Sequence, residues 1–203
     1  MLILFTIGEK VIRYVMRNKQ GLMITKSFIV FGVLTKITNN QILTIMEQEP
    51  ILNEHNKQEY PPMHTAEHIL NQTMVRMFGC PRSRNAHIER KKSKCDYLLD
   101  ACPMEEQVRE IERRVNEVIA QHLPVSYEFV KRGDVPPEVD LWKLPDDASE
   151  TLRLVRIGDY DLCACVGTHV QNTSEIGQFK IISHDWNEEA HTWRMRFKLE
   201  EVQ

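Results

Sequence analysis

The alternation of apolar and polar residues sharpens from Tyr60 onward. PPMHTAEHILNQTMVRMFG, residues 61–79, predicts a helix: Pro61 and Pro62 suit its first turn, Gly79 suits its end, and Pro81 follows. Met63, Ala66, Leu70, Met74 and Met77 form one apolar stripe, while His64, His68, Asn71 and Val75 fall on another side. SRNAHIERKKSKCDYLLD predicts a hairpin, with strands near 84–90 and 94–99 around a Lys-rich turn. In PMEEQVREIERRVNEVIAQHLP, Val108, Ile111, Val115, Val118 and Ile119 recur at spacings of three and four, and acids crowd the first turn. That is the clearest helix of the chain, and Pro124 stops it. VSYEFVKR and LRLVRIG predict strands, and the turn-rich stretch between them predicts a short helix around Glu138 to Trp142. QFKIISHDW and HTWRMRFKLE predict two more strands, joined at Asn187-Glu188-Glu189. Antiparallel strands with two substantial helices, not alternating one for one, predict an α+β fold.

Residues 1 to about 45 depart from this pattern, with Ile, Asn, Lys and Thr in patches and no sustained period. An extra hairpin near MITKSFIVFGVL is one expectation for them. A start at Met46, with the preceding stretch a mis-assigned reading frame, is another; residues 46–203 then form the domain proper. The 203 residues suffice for one sizeable domain, and 42% apolar with 27% charged residues is ordinary for a soluble globular protein. A net charge of −3 gives no global attraction to nucleic acid, so an anionic partner requires a local basic patch. Five irregularly placed cysteines argue against a disulfide framework and for a reducing, cytoplasmic compartment. The apolar runs MLILFTIG and SFIVFGVL are too short to span a bilayer, so no membrane partner is expected.

HTAEH places His64 and His68 one helical turn apart, where two imidazoles can share one cation. Alone the spacing is weak, because paired helical histidines are more often unliganded. Far downstream, Cys165-Val-Gly-Thr-His169 repeats the spacing of four with a thiol and a further imidazole. Three imidazoles and one sulfur suit Zn2+, although a free cysteine is ordinarily a small buried hydrophobe. Cys163 competes for the place; Cys165 is preferred because its spacing to His169 mirrors the helix pair, and Cys163 could face away. H-x-x-E-H is also a metalloprotease pattern with Glu67 as general base, but such sites take a carboxylate as third ligand. A site filled by four protein ligands leaves no open position for water unless one ligand is loose or absent.

HTAEHIL followed by CVGTHVQNTSEIGQFKII resembles the editing domain of alanyl-tRNA synthetases and the free-standing AlaX-type trans-editing proteins; threonyl-tRNA synthetases carry a related domain. The resemblance spans roughly residues 55 to 200 and matches His64, His68, Cys165 and His169 to the family's metal positions one by one. Ser174 to Lys180 matches the segment that follows, and AHIERKKSKCDY is similar to the family's hairpin. Val166 stands where the family has the first Gly of Cys-Gly-Gly-Thr-His, and Arg90 and Lys92 stand where its hairpin has Gln and Gly. These departures bear on amino-acid specificity, not on the metal. No aminoacylation segment is recognisable, so the resemblance is to the short, stand-alone type.

The resemblance implies zinc-dependent hydrolysis of the ester on a mischarged aminoacyl-tRNA, with Ser- or Gly-tRNA(Ala) as the expected substrate. Thr168 becomes the candidate for contacting substrate or water, with a local turn bond as the structural alternative. Glu67 could act as a base or support a histidine, although a plain solvent-exposed glutamate is favoured. His87 is read as structural rather than catalytic, although the resemblance also allows it a place in the substrate pocket. Arg82, Arg84, Arg90, Lys91, Lys92 and Lys94 form a basic patch that could engage tRNA phosphates, or could simply be a solvated turn. Arg194, Arg196 and Lys198 could extend it. A non-catalytic, zinc-stabilised tRNA-binding module is the alternative from a different functional class.

Overall fold

The computed structural model describes residues 11–17, 23–29, 60–141 and 150–200. Contacts along the chain divide it into Met1–Glu49 and Pro50–Gln203. In the first unit, β1 (Val11–Arg17) pairs antiparallel with β2 (Met23–Ile29), Val11 opposite Ile29 and Arg17 opposite Met23. The hairpin expected near residues 23–34 thus has its first half as β2, paired to an upstream strand; its second half and Met46 lie outside the described residues.

The second unit runs α1 (Pro61–Phe78), β3 (Asn85–His87), β4 (Ser93–Leu98), α2 (Glu105–Ala120), β5 (Val125–Lys131), β6 (Thr151–Ile157), β7 (Asp161–Ala164), β8 (Gln178–Asn187) and β9 (Thr192–Glu200). One antiparallel sheet has the order β3-β4-β9-β8 and another the order β5-β6-β7, which makes the fold α+β. The short helix expected around Glu138 to Trp142 is absent among the described residues: a 3₁₀ turn forms earlier, at Arg132–Asp134, residues 137–138 form a turn, and 140–141 have no regular structure. Trp142 lies outside them.

Period sets each element's buried face. On β9, Trp193, Met195 and Phe197 point into the core while Arg194, Arg196 and Lys198 alternate outward. On α2, Val108, Ile111, Val115, Val118 and Ile119 are buried, and Glu110, Arg113, Arg114 and Glu117 pair along the outer face. Asn116 bolts this helix to β8: its amide donates to Phe179 O at 2.8 Å and accepts the Phe179 N–H at 2.9 Å. Phe179 stacks on Phe197 at 5.0 Å, at the centre of the core.

Helix α1 departs from the two-stripe expectation. Every residue from Met63 to Asn71 is buried, the histidine side included, because α1 contacts α2 and β7 and the segment around Thr173. Gly79 ends it in the left-handed region at φ 65°, its N–H bonded to Val75 O at 2.9 Å. Gly177 is required for a different reason: at φ +84° a Cβ would lie 2.6 Å from Glu200 O.

Replacing Phe197 by Ala removes a fully buried ring and is expected to cost about 3–5 kcal/mol. Arg114→Ala, on the exposed face of α2, is expected to change stability by less than about 0.5 kcal/mol. Urea unfolding of the two variants at matched metal content measures both.

Candidate metal centre

One turn of α1 brings the His64 and His68 rings to 5.2 Å between centroids. Cys165 follows directly on β7, and His169 lies in the loop beyond it. The His169 ring closes on both helix histidines, at 4.3 Å from His64 and 4.5 Å from His68. One potential ligand atom from each of His64, His68, Cys165 and His169 lies within 4.8 Å of the others.

Several anchors shape this loop. Cys165 N–H donates to Arg153 O at 3.1 Å, and the Arg153 guanidinium donates back to Cys165 O at 2.8 Å and to Gly167 O. From α1, Thr65 Oγ1 accepts the Val170 N–H at 3.2 Å and lies 3.3 Å from His169 Nδ1, fixing that ring. The Thr-Ser-Glu-Ile-Gly segment ties the far end down. Thr173 Oγ1 donates to Ile119 O at 3.0 Å, and the Glu175 carboxylate accepts the N–H groups of Gln171 and Asn172 at 3.1 and 2.8 Å.

With Nδ1 beside Thr65, His169 Nε2 is a buried nitrogen without a hydrogen-bond partner among the described residues. Such an atom in a cluster of donor ligands fits a metal-binding role. Burial alone would raise the Cys165 thiol, but the adjacent His169, His64 and His68 imidazoles outweigh it and hold the group down to about 2. A thiolate is the form that ligates a metal. Burial pulls His169 down to about 4, against the pull of Cys165, so its imidazole stays neutral. The donor set of three imidazoles and one thiolate therefore fits a metal ion.

Behind His68 lies a buried ion pair. Its Nδ1 is 3.4 Å from Asp161 Oδ2, near enough for attraction but without hydrogen-bond alignment. Asp161 accepts two bonds from the Arg82 guanidinium, at 2.6 and 3.0 Å. Burial would raise the carboxyl, but the Arg82 charge and His68 hold it at about 2. Its stabilising contribution is complete above the unfolded value of 3.8 and is lost only as pH falls toward about 2. Arg82 is displaced upward: burial would lower it, and the Asp161 charge overrides. A carboxylate behind a ligating histidine fixes which nitrogen faces the metal.

Two expectations need correction. Glu67 is buried rather than solvent-exposed: it accepts a 2.6 Å bond from Asn71 Nδ2, and Asn71 Oδ1 in turn accepts from Ser83 N–H and Tyr97 Oη. Arg82 leaves the basic patch, because its guanidinium is committed to Asp161. Arg84, Arg90, Lys91 and Lys92 are exposed and Lys94 is half-buried, with the Arg90 guanidinium 5.1 Å over the Tyr60 ring. Arg194 pairs with Asp96, Arg196 with Asp185 and Lys198 with Glu200, so these cations are balanced by acids. His87 is exposed on β3, 2.8 Å from Glu89. Thr168 is exposed between Gly167 and His169.

Cys163 stands outside the four-atom group, in a pocket with Arg82 and Asp161, where burial pushes its thiol up to about 12. Residues two apart in a strand share a face, so the separation from Cys165 is not one of strand parity. It arises because β7 ends at Ala164 and the chain turns. The same parity puts Asp161 and Cys163 on one face, a signal that could have pointed to Asp161; Thr65 and Arg153 carried no such mark.

Cys165→Ala is expected to lose bound metal on dialysis, while Cys163→Ala retains the wild-type complement. Asp161→Asn is expected to weaken metal affinity about 10–100-fold, read by competition with a chelator. Metal loss confined to Cys163→Ala would refute the ligand set.

Comparison with known proteins bears on the same residues. Residues 152–195 match the family described as the threonyl and alanyl tRNA synthetase second additional domain, a span that includes Cys165 and His169 but not α1. Alanine–tRNA ligase of Methanococcus maripaludis is 31% identical over 134 residues, covering 64% of this chain and 15% of the ligase. That of Caldicellulosiruptor saccharolyticus is 35% identical over 122 residues, 59% of this chain and 14% of the ligase. The Methanococcus vannielii ligase is 29% identical over 160 residues, covering 77% of this chain and 18% of its own length. The chain thus spans less than a fifth of these relatives. Among the described residues, no helix is long and apolar enough to cross a membrane. Over residues 152–195 the chain is thus similar to the threonyl and alanyl tRNA synthetase second additional domain, and it has distant and partial homology to alanine–tRNA ligases.

Proposed function

We propose that the protein is a zinc-dependent hydrolase that removes a wrong amino acid from aminoacyl-tRNA in trans, with Ser- or Gly-tRNA(Ala) as the substrate. The observation that carries this reading is the His64–His68–Cys165–His169 cluster, with a buried imidazole nitrogen that has no partner among the described residues, in a chain related to alanine–tRNA ligases. Zinc bound there would polarise a carbonyl or orient the amino or hydroxyl group of the substrate.

The chain's own residues do the rest. Arg153, gripping Cys165 O and Gly167 O, presets the loop that bears Thr168 beside the cluster. The Thr168 hydroxyl contacts the substrate or a water at the site's edge. An aminoacyl ester is already activated, so orientation supplies much of what its hydrolysis requires. No strong base is then needed, in keeping with Glu67 being bonded to Asn71. Arg84, Arg90, Lys91, Lys92 and Lys94 engage tRNA phosphates through a salt-dependent attraction.

A panel of tRNAs charged with Ser, Gly, Ala or Thr, incubated with zinc-loaded protein, tests the proposal. Ser- or Gly-tRNA(Ala) is expected to lose its ester while Ala-tRNA(Ala) is spared, and Cys165→Ala is expected to reduce release to the uncatalysed rate. Tight tRNA binding with no release from any member would replace the hydrolase with a zinc-stabilised binding module.

A further inference from the structure

The face of the β5-β6-β7 sheet next to the cluster changes character along its length. Residues paired across strands share a face, so Val125 and Ile157 lie together, then Tyr127 and Val155, then Phe129 and Arg153. Ile157 and Val155 are fully buried, whereas Tyr127 is 43% exposed and Phe129 52% exposed. Lys131, next on the same face, is exposed too. From the metal centre outward, this face presents two aromatic rings and then a cation.

The inner end of this row is keyed to the metal loop. The Tyr127 ring lies 6.5 Å from the His169 ring, and the Arg153 guanidinium sits 4.6 Å over Tyr127. Arg153 is the residue that grips Cys165 O and Gly167 O, so it is held in place from both sides. A fixed guanidinium plane beside an exposed phenyl ring accepts a flat, electron-rich partner.

We propose that Tyr127, Phe129 and Arg153 form a stacking platform for the unpaired 3′-terminal base of an RNA, with Lys131 meeting the phosphate on its 5′ side. This rests on the reading of the substrate as an aminoacyl-tRNA. When the ester lies at the cluster, the terminal base is one ribose away, and the exposed Tyr127 ring lies 6.5 Å from the His169 ring with Phe129 next along the same face. A small amino acid such as Ser or Gly has no use for two aromatic rings, and an unstacked base does. The ribose of a nucleotide carries both the base and the 5′ phosphate, so a base stacked on the rings leaves its phosphate free to meet the cation at the far end of the row. Stacking tolerates any base, so the platform contributes position and affinity without reading sequence.

Fluorescence anisotropy with zinc-loaded protein and a 5′-labelled single-stranded RNA ending in CCA tests this, against the same RNA with an abasic 3′ residue. Wild type is expected to bind the intact end about tenfold more tightly. Phe129→Ala and Tyr127→Ala are expected to erase most of that difference with metal content unchanged, and Phe129→Trp to keep it. Equal binding of intact and abasic ends by wild type, or discrimination undiminished in both Ala variants, would overturn the platform. The charged-tRNA panel separates the two proposals. Discrimination without ester release sinks the hydrolase and leaves the platform, whereas ester release with KM unchanged in Phe129→Ala sinks the platform and leaves the hydrolase.

Discussion

Helix α1 carries two imidazoles through the interior of its domain, and burial leaves such groups few ways to be satisfied. Water cannot reach them freely, so each nitrogen must find a protein partner or a metal. His169 Nδ1 has Thr65, but its Nε2 has no partner among the described residues, and His68 is backed by Asp161. The Asp161 carboxylate could not remain charged at this depth without the two bonds from Arg82. The ion pair and the ligand cluster therefore belong to one buried polar system.

Holding four ligand atoms together is a problem of long-range geometry, solved by three separate anchors. Helix α1 supplies His64 and His68 at a fixed pitch, and its Thr65 reaches across to His169 and Val170. Strand β6 supplies Arg153, which clamps the backbone on both sides of Val166. The end of α2 holds Thr173, closing the loop from the other direction. Asn116 and the Phe179–Phe197 contact then lock α2 to the larger sheet, so core packing and site geometry are mechanically linked. Such support is what keeps a site within the narrow tolerances that binding and catalysis require.

Much of this was legible in the chain because it follows local periods. Val108 to Ile119 marked α2, the alternation from Trp193 to Lys198 marked β9, and Pro61 with Gly79 bracketed α1. The paired four-residue spacings marked the donor set, since each half needs only a helical turn or a short loop. What stayed hidden depends on partners distant in sequence. Arg82 reads as one more cation in a basic run, and only the fold brings Asp161 to it. Glu67 reads as a solvent-facing acid, yet α1 is buried from Met63 to Asn71, and Asn71 donates to that carboxylate within a network that includes Ser83 and Tyr97. The exposed pair Tyr127 and Phe129 looked like ordinary strand residues, because nothing local says which face of β5 is left uncovered.

The donor set can be measured apart from any substrate. X-ray absorption at the zinc edge of the zinc-loaded protein reports ligand type and distance directly. A His3Cys centre predicts one sulfur at about 2.3 Å and three nitrogens at about 2.0–2.1 Å, with imidazole scattering beyond them. A first shell of oxygen and nitrogen without sulfur, or one with two sulfurs, would contradict the assignment of Cys165 with His64, His68 and His169.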